Sequence, residues 1–187
     1  IGSESVSVGS VAVDLSLQIF EPMADTKVLL VGAGKIARLA AHRLQNAGVR
    51  SLTVVNRTYA RAEALANKYG WRSRRFQDLD ILMPEMDIVI TSTGAPRPII
   101  TAESVKACME RRRYRPVFFI DLALPRDVAT DVADVDRVYL YNIDDLEGIA
   151  NRNLKQRSAD VASAEKIVEE CLEKFRSRQN RAGLKPF

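Results

Sequence analysis

Lys27-Val28-Leu29-Leu30-Val31-Gly32-Ala33-Gly34-Lys35-Ile36-Ala37 is the stretch that decides the fold. A short apolar run that breaks on glycine reads as a buried strand. Behind the break, Ile36, Leu39, Ala40 and Leu44 recur at helical spacing, and the pattern stops at Gly48. Strand, glycine turn and helix in direct succession form the context in which a Gly-x-Gly-x-x-Gly/Ala loop binds a dinucleotide. Gly32 suits the tight turn, and Gly34 lets the backbone approach a pyrophosphate. Ala37 is small enough for the helix to lie close on the strand. Ala33, Lys35 and Ile36 complete the loop, whose helix N-terminus offers free N–H groups to an anion. The bland alternative is a plain turn between strand and helix.

Outward from this unit the pattern repeats. Residues 51–56 form a second apolar strand, and Ala62, Leu65, Ala66 and Tyr69 mark a helix closed by Gly70. A short strand is expected near residues 73–76, and residues 87–91 form another that runs into Ser92-Thr93-Gly94. Thr101 is placed to cap a helix carrying Val105, Cys108 and Met109, with Glu103 in its first turn. Residues 116–121 and 137–141 read as the last two strands. Strands apolar on both faces, alternating with amphipathic helices, require a parallel sheet covered on both sides. The expected fold is α/β: a doubly wound, mainly parallel sheet of the Rossmann type, with a long C-terminal helix.

Both flanks read as helix. Val8, Val11, Ala12, Leu15 and Ile19 give residues 4–20 one apolar face, ended by Glu21-Pro22. After residue 144, Leu154, Val161, Val168 and Phe175 recur every seven residues, with Ala164 and Cys171 on the second seam. The expected organisation is a linker helix over 1–22, a nucleotide-binding domain over 23–143, and a long helix with a basic tail over 144–187. The long helix either folds back on the domain or, on the favoured reading, pairs with a second copy to make a homodimer.

The residues after the second strand speak to the cofactor. An NAD site places Asp or Glu there for the ribose 2′-hydroxyl. This chain has Asn56-Arg57-Thr58, with Arg61 one helical turn on. A guanidinium forms a planar fork that pairs with phosphate and stacks on adenine. The reading is NADPH rather than NADH; the alternative is that Asn56 and Thr58 only cap the next helix while Arg57 faces solvent. Ser92, Thr93 and Gly94, at the end of another strand, are the remaining candidate cofactor contacts.

Composition bounds the rest. The chain has 187 residues, 47% hydrophobic and 28% charged, the mix of a globular protein. No apolar run approaches the ~20 residues of a membrane span. No leader-like opening is seen, so the expected compartment is the cytoplasm, with no membrane partner. The first residue is Ile1, which suggests a piece of something longer. Two cysteines, Cys108 and Cys171, are too few and too isolated for a metal site. The net charge of +4 equals the four cations of the tail, Arg176, Arg178, Arg181 and Lys185. Two basic clusters, residues 72–75 and 111–115, read as solvated helix ends or loops, with phosphate contact as the minority reading. His42 reads as a solvated or satisfied helix residue, and Cys108 as a small buried hydrophobe. Asp121 is open between two roles: ordering the nicotinamide side of a cofactor, or capping the turn before Pro125.

Three longer motifs carry a family resemblance. Residues 92–100 read Ser-Thr-Gly-Ala-Pro-Arg-Pro-Ile-Ile, residues 121–128 read Asp-Leu-Ala-Leu-Pro-Arg-Asp-Val, and residues 138–146 read Val-Tyr-Leu-Tyr-Asn-Ile-Asp-Asp-Leu. In this order they resemble glutamyl-tRNA reductase, the family that starts tetrapyrrole synthesis from glutamate. Residues 5–13 are similar to that family's link into its NADPH domain. The stretch from Asn153 resembles the start of its dimerisation region.

The resemblance implies an enzyme that uses NADPH to reduce glutamyl-tRNA to glutamate-1-semialdehyde. It also implies a catalytic Cys in another domain, within a Thr/Ser-Cys-Asn-Arg motif that this sequence lacks. No catalytic residue is therefore expected in the chain, which should bind NADPH without turnover. Two alternatives stand beside it: the NADP domain of a shikimate-dehydrogenase-like enzyme, which shares the glycine loop and an Asn-Arg-Thr clamp, and a non-catalytic NADPH-sensing dimerisation module.

Overall fold

Residues 23–145 are described by a computed structural model. The expected helix over 4–20, the heptad helix and the basic tail lie outside the described residues. Six strands form one sheet: β1 (Lys27–Val31), β2 (Ser51–Asn56), β3 (Arg72–Arg75), β4 (Ile88–Thr91), β5 (Val117–Asp121) and β6 (Val138–Asn142). Their order across the sheet is β3-β2-β1-β4-β5-β6. Every neighbouring pair is parallel. This is the doubly wound arrangement expected from the alternating pattern.

The apolar strands are continuous because each strand feeds two cores. Side chains alternate across a strand. Val28 and Leu30 of β1 join Leu52, Val54, Ile88 and Ile90 on one face. There they meet Ala37, Ala41 and Leu44 of α1 (Lys35–Asn46) and Ala62, Leu65 and Ala66 of α2 (Tyr59–Tyr69). Leu29 and Val31 point the other way and join Val89, Val117 and Phe119 beneath Val105, Cys108 and Met109 of α4 (Ala102–Arg111). Each large side chain buried in this way contributes roughly 1.5–3 kcal/mol.

The helix punctuation is as the sequence suggests. Gly70 ends α2 in the left-handed region at φ 71°, and its N–H reaches the carbonyls of Ala66 and Asn67. Thr101 caps α4: its Oγ1 accepts from the Ser104 N–H, and Ser104 Oγ accepts from the Thr101 N–H. The sheet leaves through another cap, where Asn142 Oδ1 accepts from the N–H groups of Asp144 and Asp145, and Asp145 Oδ2 accepts from the Asn142 N–H.

Two connections differ from regular βαβ units. Between β3 and β4 the chain makes three short turns of helix: a 3-10 turn (Phe76–Asp78), α3 (Leu79–Leu82) and a second 3-10 turn (Met83–Glu85). Between β5 and β6 the only helical element is a 3-10 segment, Thr130–Asp134. The last strand begins one residue later than expected, because Arg137 sits at φ 59° and cannot be part of it.

The basic cluster at 111–115 is also not wholly solvated. Arg112 is 2% exposed. Its guanidinium donates to five main-chain carbonyls, those of Met83, Pro84, Met86, Arg115 and Pro116, at 2.5–3.3 Å. Arg112 therefore ties the turn before β4 to the turn before β5. Arg111, Arg113 and Arg115 are exposed, as expected of the cluster.

Candidate functional site

Parallel strands end along one edge, so each delivers the residue that follows it to a common place. Gly32, Arg57, Phe76, Ser92 and Leu122 follow β1 to β5 in turn. The strand order reverses direction between β1 and β4, and there the loops part and open a cleft of about 310 Å³. Ala33 and Gly34 line it from the first loop, and Asn56, Arg57, Thr58 and Arg61 from the second. Ser92, Thr93, Gly94 and Ala95 line it from the fourth, with Phe76 and Ile99 completing the wall.

Nine of the thirteen sequence candidates thus meet in one cleft. The other four stand behind it. Gly32 is buried at φ 113°, and its N–H donates to the Val55 carbonyl at 2.8 Å. Ile36 packs against the core, and Ala37 is fully buried in it. Lys35 opens α1 and is exposed. Sequence reasoning missed Phe76, Ala95 and Ile99. Phe76 had a weaker signal: the strand expected near residues 73–76 would have ended on it. The strand in fact stops one residue earlier, at Arg75, which puts Phe76 where Arg57 and Ser92 stand.

The cleft suits an anionic dinucleotide. A Cβ added at Gly34 would meet nothing within 4 Å, so the loop keeps open room where backbone and pyrophosphate would face each other. Gly34 is also the N-cap of α1 with no side-chain capping bond, which leaves the first-turn N–H groups directed outward. Arg57 and Arg61 supply two cations at the β2 end, and among the described residues no carboxylate lines the cleft. Asn56 Nδ2 donates to the Thr58 carbonyl at 2.9 Å and braces the turn that carries Arg57. Thr58 is the N-cap of α2 but makes no side-chain capping bond.

At the opposite end, two buried carboxylates hold the floor. Asp121 is 2% exposed and accepts four bonds. Oδ1 accepts from Thr91 Oγ1 at 2.8 Å and the Ala123 N–H at 3.0 Å. Oδ2 accepts from the N–H groups of Asp127 and Val128 at 2.9 and 3.0 Å. Of its two open roles, the geometry displays the turn-holding one. Asp127 is fully buried and takes the Thr93 N–H at 2.7 Å and the Thr93 hydroxyl at 2.5 Å. Burial pushes the Asp127 carboxyl above its ordinary range; the Thr93 donors pull the other way, and the charge of Asp121 adds to the rise.

The other titratable candidates lie away from the cleft. Cys108 is 2% exposed in the α4 core. Burial raises its thiol, against the lowering pull of Arg112. That is an inert thiol rather than a nucleophile. His42 is exposed on α1, 3.5 Å from the Asn46 amide. Among the described residues, no cluster of His, Cys, Asp or Glu could hold a metal, and no helix is long and apolar enough to cross a membrane.

Comparison with known proteins bears on this geometry. The family model described as shikimate / quinate 5-dehydrogenase matches residues 14–149. The glutamyl-tRNA reductase of Solidesulfovibrio magneticus is 45% identical over 186 residues, which is 100% of this chain and 41% of that protein. Among solved structures, the glutamyl-tRNA reductase of Methanopyrus kandleri superposes with a TM-score of 0.77 at 37% identity, over 95% of this chain and 45% of that one. The nucleotide-binding domain of the Thermoplasma volcanium glutamyl-tRNA reductase does so with 0.62 at 25% identity, over 81% of this chain and 96% of that one. The chain thus spans less than half the length of the full-length relatives it matches. It belongs to the shikimate / quinate 5-dehydrogenase family; its whole length aligns with part of a glutamyl-tRNA reductase, and 81% of it with the nucleotide-binding domain of another.

Proposed function

We propose that the cleft binds NADPH and that the chain is the cofactor-holding part of a glutamyl-tRNA reductase, which reduces glutamyl-tRNA to glutamate-1-semialdehyde. The observation that carries this is the convergence of the Gly32–Gly34 loop, the Arg57–Arg61 pair and the Ser92–Ala95 loop at the switch between β1 and β4. The assigned contacts are Ala33, Gly34 and the α1 N-terminus for the pyrophosphate. Asn56, Arg57, Thr58 and Arg61 take the 2′-phosphate end, and Ser92, Thr93 and Gly94 the nicotinamide end. Gly32, Lys35, Ile36 and Ala37 shape the loop and its helix. When bound, NADPH supplies the hydride. The chain's residues orient it, and the catalytic Cys belongs to a domain outside these residues.

The same reading gives residues 1–22 to a linker helix, 23–143 to the cofactor domain and 144–187 to the start of a dimerisation region with its tail. The partners are glutamyl-tRNA, through the whole enzyme, and a second copy of the chain. The compartment is the cytoplasm, in keeping with the free thiol at Cys108.

The experiment is an assay of the longer parent chain for NADPH-dependent reduction of glutamyl-tRNA. Oxidation of shikimate instead would favour the dehydrogenase reading, to which the 14–149 family match lends weight. Binding of NADPH with no turnover of either substrate would favour a sensing module. The chain alone should bind NADPH without reductase activity, and sedimentation should find it dimeric.

A further inference from the structure

Resting on the NADPH reading of the cleft, the hydrogen bonds beneath Thr93 assign it a polarity. Thr93 lines the cleft just beyond the end of β4 and is half-buried. Its hydroxyl proton is committed to Asp127 Oδ1 at 2.5 Å, while its N–H donates to Asp127 Oδ2 at 2.7 Å. With Asp127 ionised, its carboxylate accepts and does not donate, so the direction of the first bond is set. Thr93 Oγ1 also accepts from the Ala95 N–H at 3.1 Å, which occupies one of its two lone pairs. One lone pair is left.

Asp127 cannot turn away to change this. Its own N–H is held by Asp121 Oδ2 at 2.9 Å, and its carbonyl accepts from the N–H groups of Ile99 and Ile100 at 2.8 and 3.0 Å. We infer that Asp127 is a positioning residue that locks Thr93 Oγ1 as a hydrogen-bond acceptor, so that this end of the cleft selects a ligand group that donates. With the 2′-phosphate at Arg57 and Arg61, the donors available here are the nicotinamide carboxamide NH2 and the hydroxyls of the adjoining ribose.

The test uses the 187-residue chain and three ligands in equilibrium titrations. They are NADPH, the half-ligand 2′-phospho-ADP, and the 3-acetylpyridine analogue of NADPH, whose methyl ketone has no N–H to donate. The variants are Thr93→Val, Thr93→Ser and Asp127→Asn. In Asp127→Asn the new amide donates to Thr93 Oγ1, fills the remaining lone pair and sends the hydroxyl proton outward.

Thr93→Val and Asp127→Asn should each weaken NADPH roughly fivefold, the loss of one ordinary hydrogen bond. Thr93→Ser should bind like the parent, and 2′-phospho-ADP should bind all of them alike. An analogue indifferent to the variants identifies the carboxamide as the donor; an analogue that shares the loss identifies the ribose hydroxyl, and either supports the inference. Unchanged NADPH affinity in Thr93→Val and Asp127→Asn, with 2′-phospho-ADP still bound, overturns it and leaves the nucleotide reading intact. A matching loss of 2′-phospho-ADP also overturns it, since the whole cleft has then changed. Failure of the parent chain to bind either NADPH or 2′-phospho-ADP instead removes the nucleotide reading, and the inference with it.

Discussion

Gly32 and Ser92 pass so close that a Cβ placed on Gly32 would collide with the Ser92 carbonyl oxygen. The loops after β1 and β4 cross at this point, and the Ser92 N–H donates to the Val31 carbonyl at 2.8 Å. Gly32 also sits at φ 113°, where a side chain is strained. Gly34, two residues on, has φ −77° and open space around it. The two glycines should therefore fail differently. Gly32→Ala should lower stability by at least about 1–3 kcal/mol in thermal or denaturant melts. Gly34→Ala should stay within about 0.5 kcal/mol of the parent, yet lose NADPH affinity. Normal NADPH binding by Gly34→Ala would move the pyrophosphate away from this loop.

The cation pair at the β2 end should set the choice of cofactor. Arg57→Ala removes a side chain that lines the cleft and is exposed, so its effect on stability should be small. NADPH affinity should fall by roughly tenfold or more, on the scale of a charge-assisted hydrogen bond, while NADH affinity changes little. Titration of both cofactors against both proteins decides the matter. An equal loss for the two would deny Arg57 a role at the 2′-phosphate.

Arg112 gives a prediction about stability alone. Arg112→Met keeps much of the side-chain volume but removes the donor that five carbonyls share; Met83 and Pro84 keep a second donor, in the Met86 N–H and Arg115 Nη2. The expected cost is on the order of 3 kcal/mol, since an unsatisfied buried acceptor loses its full desolvation. Arg112→Lys should recover part of it, because an ammonium has three donors and no planar fork. Burial lowers the affinity of this guanidinium for its proton without discharging it. Chemical denaturation of the three proteins ranks them, and parity between Arg112→Met and the parent would contradict the pinning role.

Asp127 makes stability depend on pH in a stated direction. Burial raises its carboxyl in the native state. A group raised in the native state holds its proton more tightly there than in the unfolded chain. Its contribution is complete below the unfolded carboxylate range and is lost as pH climbs through the native value. Asp127→Asn has nothing to titrate. The Tm of the parent relative to this variant should therefore fall as pH climbs above the ordinary carboxylate range of about 4. A difference that is flat or rises with pH would place the shift elsewhere.

The frame of the fold was legible because burial on both faces writes itself as unbroken apolar runs. Val28 to Val31 and residues 88–90 could be nothing but inner strands, and Gly70 and Thr101 announce helix ends by chemistry of their own. The cleft residues followed from the rule that parallel strands end at one edge. What stayed hidden depends on contacts distant in sequence. Arg112 looks like its exposed neighbours, and only the carbonyls of Met83, Pro84 and Met86, 26 to 29 positions away, make it a core residue. Asp121 was undecided for the same reason: its partners lie on Thr91 and on the far side of a loop. The short turns at residues 76–85 carry too few residues for any periodicity to register.

Asp121 satisfies three main-chain N–H groups and one hydroxyl, and Arg112 satisfies five main-chain carbonyls. Both ends of the strands are thus laced through atoms that every residue possesses. Between the laces, Leu122 is buried in the core and Arg126 pairs with Asp144 at 2.8 Å, whereas Leu124, at 76% exposure, packs on nothing that fixes its identity. A loop built this way can change its surface while keeping its path. The ligand edge is therefore open to re-engineering at Leu124, provided that Asp121, Arg126 and Asp127 stay in place.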